Sequence, residues 1–247
     1  MFKRVLRGYL RKKLKLDKLP WCTAVIVAAG SAVRMGGIDK IMAQLDGEPV
    51  ICHSIRAFQT CNTIREVVVV TREDLVPVIE KLCREQQFTK VTAVVPGGSD
   101  RVASTVNGLR AVSKKCRLAA IHDGARPLIS HPVIENTVRK AAMTGAAAPA
   151  VPVKDTIKEA SGSIVIGTPD RSRLFAVQTP QVFDYDLLCG ALERVQKDGL
   201  TVTDDCSAVE QMGMSVHLTE GSEDNMKITT PMDLTIAEIL MKRRNTV

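Results

Sequence analysis

The feature that most constrains the fold is an alternation that sets in after Pro20, where short apolar runs rich in β-branched residues take turns with amphipathic stretches of helical period. The apolar runs predict strands over 23–29, 66–71, 91–95, 118–122 and 148–153, and the stretches between them predict helices over 49–60, 74–86, 100–113 and 132–144. Several of those helical stretches open on Pro, Asp or Ser, residues whose fixed φ or side-chain oxygen suits a first turn. Such a rhythm implies an α/β chain built on a doubly wound, mostly parallel sheet. Sheets of that kind bind ligands beyond the carboxyl ends of their strands, which directs attention to the loops 28–40, 96–104, 122–127 and 203–206.

The rhythm breaks at 154–174, where two short β-like runs, TIKEA and SIVIGT, flank a Ser-Gly-Ser turn. This predicts a projecting β-hairpin. An isolated two-stranded ribbon is marginal in water, so it is expected to pack against something, a second copy of the chain being the natural choice. Beyond it, helices are expected over 184–198, 204–212 and 231–243, with a strand over 214–219.

The formal charge of +7 belongs to one segment: residues 1–20 carry eight Lys/Arg against Asp17 alone, and residues 21–247 carry 26 of each sign. The expected organisation is thus a basic N-terminal extension, 1–20, and a single domain, 21–247. A nucleic-acid-binding body is not implied. In the extension Phe2, Val5, Leu6, Tyr9 and Leu10 fall at helical spacing among basic residues. A surface helix touching an anionic membrane or RNA is one reading, and a solvated extension, the simpler one, is preferred. Apolar runs end far short of the roughly 20 residues that span a bilayer. Seven cysteines, an odd set without a CxxC pair, argue against both a disulfide framework and a zinc cluster, so the chain is expected in the cytoplasm.

Three loops carry residues fit for chemistry. AAGSAVRMGGIDK, 28–40, follows the first strand with small residues that let backbone N–H groups approach an anion, and Arg34 and Lys40 add fixed positive charge. It reads as a phosphate cradle or as an ordinary flexible loop; neither a Walker A nor a GxGxxG pattern is present. PGGSDR, 96–101, permits close approach to a flat ring, although helix capping alone would explain Ser99 and Asp100. IHDGARP, 121–127, offers Asp123 as a hard oxygen ligand for Mg²⁺ and Arg126 as a phosphate fork, the plain alternative being an ion pair between them. His53, His122, His131 and His217 read as structural or surface residues, and the cysteines as small core hydrophobes.

Taken in order, AAGSAVRM, DK, GEPV, PGGSDR, HDGARP, PVKDT, TPDR, QTPQ, TDD and EDNMKIT resemble the 2-C-methyl-D-erythritol 4-phosphate cytidylyltransferases of isoprenoid biosynthesis, over nearly everything from about 22 to 240. The resemblance implies a Rossmann-like nucleotidyltransferase fold and a reaction in which the phosphate of methylerythritol phosphate attacks the α-phosphorus of CTP and pyrophosphate leaves. It also implies Mg²⁺ and a homodimer in which the hairpin is exchanged between subunits. Carried over by position, Arg34 and Lys40 match the cations that stabilise the transferring phosphate, and Lys227 is placed with them as a catalytic cation that also holds substrate. Ala28, Ala29, Gly30, Gly98, Ser99 and Ser104 match the cytidine site. Asp123 matches the metal ligand, and Arg126 the neighbourhood of the acceptor phosphate. Thr156, Arg171 and Thr203 match further substrate-holding positions, the first two serving the partner's site.

Departures from the family pattern are Ala32 in place of a glycine, Asp39 and Ile41 around Lys40, and Gly124 in place of an alanine, a change expected to loosen its loop. Asp224 is a candidate second metal ligand by analogy with wider nucleotidyltransferases. The nearest alternative function keeps the reaction and changes the acceptor to ribitol 5-phosphate; a remoter one is a non-catalytic scaffold docked through residues 1–20.

Overall fold

The computed structural model of the protein describes residues 19–30 and 39–245. In chain order its elements begin with β1 (Cys22–Ala28), two short strands β2 (Gln44–Leu45) and β3 (Glu48–Pro49), α1 (Val50–Thr60), β4 (Ile64–Thr71), α2 (Val76–Glu85), β5 (Val91–Pro96), α3 (Arg101–Arg110) and β6 (Leu118–Asp123). They continue with α4 (His131–Thr144), β7 (Ala146–Pro152), β8 (Glu159–Ser161), β9 (Ile164–Gly167), β10 (Phe175–Val177), β11 (Gln181–Asp184), α5 (Tyr185–Asp198), α6 (Asp205–Glu210), β12 (His217–Glu220) and α7 (Pro231–Asn245).

The central sheet is ordered β10-β7-β11-β6-β1-β4-β5, with β12 also paired to β7. Pairing is parallel for β1 with β4 and β6, β4 with β5, and β7 with β12, while β11 runs antiparallel to β6 and β7, and β10 antiparallel to β7. Only β10 and β11 oppose the common direction, so the sheet is mostly parallel, as the alternation predicts. Sequence periodicity does not predict these two strands. Their segment, FAVQTPQVFD, mixes Gln178, Thr179 and Gln181 into the apolar run and interrupts it with Pro180, which hides the period-2 signal.

Buried side chains line both faces of the sheet. Ala24 and Ile26 of β1 face one cluster with Ile51, Ile55 and Phe58 of α1 and Ile134 of α4, while Val25 faces the other with Leu109 of α3 and Leu188 and Leu192 of α5. Burial on both faces is why the parallel strands read as continuous apolar runs rather than as alternating ones. A third cluster seats α7 through Ala237 and its neighbours against Leu45, Val50, Leu128 and Ile228.

Strands β8 and β9 form a separate antiparallel pair that is not hydrogen-bonded to the main sheet. Its apolar residues stand out in solvent, Ile164 at 70% and Ile166 at 67% exposure. In the main sheet, register aligns the strand ends that carry the candidate loops: Val27 pairs with Asp123, Ala28 with Thr71, and Thr71 with Pro96. The loops after β1, β5 and β6 therefore leave the sheet from one row.

Candidate active site

Described residues of those three loops line a cavity of about 400 Å³, among them Ala29, Gly30, Lys40, Gly98, Arg101 and Asp123, and Lys227 joins them. Its wall beside β5 is built by close packing. A side-chain carbon added at Gly97 would lie 2.3 Å from Ala29 Cβ, and one at Gly98 would lie 2.4 Å from Ala103 Cβ, so only glycine lets these backbones meet. Asp100 caps α3 by accepting from the Ala103 N–H, and Ser104 Oγ accepts from the Gly98 N–H at 3.0 Å while donating to the Asp100 carbonyl at 2.8 Å. Ser104 thus holds the shape of this wall.

Lys40 also lines the cavity, its Nζ lying 3.9 Å from the position a Cβ on Gly30 would take. Its neighbours are fixed. Asp39 pairs with Arg72 just after β4, its other carboxylate oxygen accepts from the Ile41 N–H, and its carbonyl accepts from Met42 and Ala43. Asp39 is therefore the anchor of the lysine's turn. Arg72, which no sequence motif singles out, secures that anchor from a position 33 residues away.

Asp123, at the end of β6, is the electrostatic centre. Lys227 Nζ lies 3.0 Å and Arg126 Nε 3.4 Å from its Oδ2, and Arg101 Nη2 lies 3.9 Å from its Oδ1. Burial pushes the carboxyl pKa up, but Lys227, Arg101 and Arg126 outweigh it and hold it down at about 2. The ion pair between Asp123 and Arg126 is thus real, and it is one part of a larger cationic cluster.

The loop beneath is wired by hydrogen bonds. The buried His122 has Nε2 3.2 Å from the Arg126 carbonyl, which requires Nε2 to carry the proton. Its Nδ1 then accepts from Thr179 Oγ1 at 3.0 Å, and that hydroxyl accepts from the Asp123 N–H at 3.1 Å. Burial pushes the His122 pKa down to about 4, so the ring is a neutral structural strut rather than a base. The unfolded chain takes up this proton near pH 6.5 and the native state near pH 4, so the native state loses stability as pH falls through that window. Chemical denaturation between those limits should show a decline of roughly 3 kcal/mol. A flat profile would mean the native ring accepts the proton at its ordinary pKa.

Gly124 is tied down rather than loose. Its N–H donates to the Val27 carbonyl, its carbonyl accepts from Ser54 Oγ, and an added Cβ would come within 2.9 Å of Ala28 Cβ. The expectation of a loosened loop is corrected: the glycine allows close packing against β1. Lys227 is positioned through the same loop, because the Ile228 N–H donates to the Ala125 carbonyl and Arg126 Nη1 donates to the Asn225 carbonyl. Asp224, the candidate second ligand, is not among the cavity's lining residues, and its carboxylate pairs with Arg243 and Arg244 of α7.

The family model for 2-C-methyl-D-erythritol 4-phosphate cytidylyltransferase, IspD, matches residues 22–243. The chain belongs to this family. It is 42% identical to the cytidylyltransferase of that name from Alkaliphilus oremlandii, over 93% of this chain and 98% of the relative. Among solved structures it resembles 4-diphosphocytidyl-2C-methyl-D-erythritol synthase from Anaerococcus prevotii at 27% identity and a TM-score of 0.81, covering 90% of this chain and 96% of that one. The enzyme from Thermus thermophilus is similar at 30% identity and a TM-score of 0.73, over 88% and 98% of the two chains.

Set against the positions that the family implies, Ala28, Ala29, Gly30, Lys40, Gly98, Ser99, Ser104, Asp123 and Lys227 come together around one cavity, with Arg126 paired to Asp123. Thr156, Arg171 and Thr203 are not among its lining residues within one chain. Arg171 is exposed and donates to the Lys154 carbonyl at the base of the hairpin, and Thr203 packs on Ser207 at the start of α6. Arg34 and Ala32 lie outside the described residues, as do residues 1–18 of the basic extension. The chemistry-bearing residues that sequence reasoning missed are Arg101 and Asp205, whose Oδ2 lies 2.7 Å from Arg101 Nη1.

Proposed function

We propose that this chain transfers the cytidylyl group of CTP to 2-C-methyl-D-erythritol 4-phosphate, releasing pyrophosphate and forming 4-diphosphocytidyl-2-C-methyl-D-erythritol. The observation that carries the proposal is the convergence of Lys40, Arg101, Arg126 and Lys227 with Asp123 beside the glycine-built wall, in a chain of this family. An acceptor phosphate oxygen bonds to the α-phosphorus of CTP, and the bond from that phosphorus to the bridging oxygen of pyrophosphate breaks. A phosphate monoester is already an anion, so no general base is needed, which agrees with the neutral, buried His122. The barrier lies in bringing two anions together and in charge gathering on the phosphoryl oxygens. Lys40 and, by its place in the family pattern, Arg34 meet that charge, while Lys227 and Arg126 are assigned to holding the acceptor phosphate.

The donor set fits Mg²⁺. Asp123 presents an ionised carboxylate to the cavity, and among the described residues no group of three or more His, Cys, Asp or Glu gathers to cage a metal. Mg²⁺ takes one or two carboxylates and completes its shell with substrate phosphates and water. When bound it would neutralise triphosphate charge.

The reading extends to a homodimer. Ile157, Ile164, Val165 and Ile166 in the hairpin segment, and Phe175 and Val177 on the edge strand β10, are exposed apolar side chains, and Thr156 and Arg171 stand just before and just after the hairpin strands in the chain. Exchange of this arm would carry Thr156 and Arg171 to the partner's cavity. Mixing Arg171→Ala with Lys40→Ala should then restore activity in the mixed dimer, because one of its two sites keeps both residues. Zero recovery with subunit exchange verified would sink the shared site. Thr203 is assigned to the acceptor side, residues 21–247 to one domain with 1–20 as an extension outside it, and the enzyme to the cytoplasm. No helix among the described residues is long and apolar enough to cross a membrane.

The deciding experiment follows pyrophosphate release from CTP with Mg²⁺, offering methylerythritol phosphate and ribitol 5-phosphate in parallel. Turnover with the first alone supports the proposal. Turnover with the second alone would move the protein to polyol-phosphate activation, and silence with both would overturn the catalytic reading.

A further inference from the structure

The carboxylate of Asp205 is 1% exposed, yet neither of its oxygens has a hydrogen bond of good geometry. The local structure does not need it. Asp204 caps α6 by accepting from the Ser207 N–H, and Gln181 Oε1 accepts from the backbone N–H groups of Asp205 and Cys206, so the start of α6 is held without the Asp205 side chain. Its charged partner is Arg101 Nη1 at 2.7 Å, reached from α3, more than a hundred positions away in sequence. Burying an ion pair is poor stabilisation compared with packing apolar groups of the same volume, so the pair calls for a reason beyond stability.

The reason lies in where the guanidinium points. Arg101 is the first residue of α3, directly after the Gly98–Asp100 wall, and it lines the cavity at 31% side-chain exposure. With Nη1 held by Asp205, its Nη2 is turned to the Asp123 side of the cavity, 3.9 Å from Oδ1. It therefore bridges the wall assigned to the nucleotide and the carboxylate assigned to the transfer centre, the stretch a polyphosphate must cross. A planar fork with one arm fixed leaves the other pre-aimed at an anion, which a flexible lysine would not offer.

From this geometry we infer that Arg101 is a ligand of the donor's phosphate chain and that Asp205 is the positioning residue that aims it. The inference rests on the proposed use of CTP and adds a residue pair to that site.

The test is CTP binding by titration calorimetry with Mg²⁺ on the full-length protein, alongside steady-state kinetics, for wild type, Arg101→Met, Arg101→Lys, Asp205→Asn and the Arg101→Met/Asp205→Asn double variant. Arg101→Met and Arg101→Lys should each weaken CTP binding by about tenfold or more, and Asp205→Asn by a smaller factor, with KM for the acceptor little changed. In the double variant Asp205→Asn should add nothing, because there is no guanidinium left to aim. Arg101→Met strands a buried carboxylate and can fail to fold, so Arg101→Lys, which keeps the counter-charge, carries the test in that case. Unchanged CTP affinity in Arg101→Lys, a loss confined to the acceptor's KM, or full additivity in the double variant would each overturn the inference. An inactive wild type would instead defeat the proposed function, so the two failures are distinct.

Discussion

Replacing Lys40 with alanine is expected to lower turnover by about a hundredfold or more, the scale seen when one preorganised donor to a transition state is removed. The ammonium lines the cavity beside Gly30, in the loop leaving β1. Its turn is held by Asp39, through Arg72 and three backbone N–H groups, and by Ile41, which is buried. These contacts set the backbone of the turn, and the melting temperature of Lys40→Ala checks that the variant folds. The loss should appear in kcat more than in KM for CTP, because charge on the transferring group grows between ground state and transition state. Near-normal kcat would mean that another cation carries that charge. A fall in kcat/KM that comes through KM alone would reassign Lys40 to ground-state binding.

The parallel part of the fold is legible because its strands are buried on both faces and spell their burial out as apolar runs, VIVA in β1 and VVVV in β4. The two strands β10 and β11, which run against the others, are not, and the physical cause is specific. Gln178, Thr179 and Gln181 look like surface residues in sequence, but each is buried and satisfied by remote groups. Gln178 bonds Ser222 and Asn225, Thr179 bonds His122 and the Asp123 N–H, and Gln181 bonds Asp204 and the start of α6. Buried polar residues of this kind organise loops that meet at the cavity, and composition cannot distinguish them from solvated ones.

The same limit applies within the site. Lys40, Asp123 and Lys227 are legible because each sits in a short motif whose residues stand together in the chain. Arg101 and Asp205 become a pair only once α3 and α6 are brought side by side, and Arg72 acquires its role only when the end of β4 meets the turn at Asp39. Gly124 shows the reverse error: a glycine in a loop suggests looseness, whereas its missing Cβ is what lets the loop press against Ala28.

Asp123→Asn should be the more damaging substitution at the transfer centre, with turnover falling by about a thousandfold, since it removes a charge in a partly desolvated site rather than one donor among several. The amide is isosteric, and the backbone bonds of this position, the Asp123 N–H to Thr179 and the Arg126 N–H to the Asp123 carbonyl, do not depend on the carboxylate. The three cations around it do. Lys227 and Arg126 would face one another across a neutral group and lose the aim on which phosphate binding depends, while Arg101 keeps only its tie to Asp205. Because these cations hold the wild-type carboxyl at about 2, it stays ionised throughout the neutral range, and its contribution to stability is present above about pH 4 and lost only as pH falls toward 2. The wild-type rate should therefore show no acid limb belonging to this group. In the variant, raising Mg²⁺ should recover little turnover, because the hard anionic oxygen that would hold the ion is gone. If Asp123→Asn keeps activity within about tenfold of wild type, the carboxylate is only a counter-ion for its three neighbours, and the metal must be held by substrate phosphates and water without help from this chain.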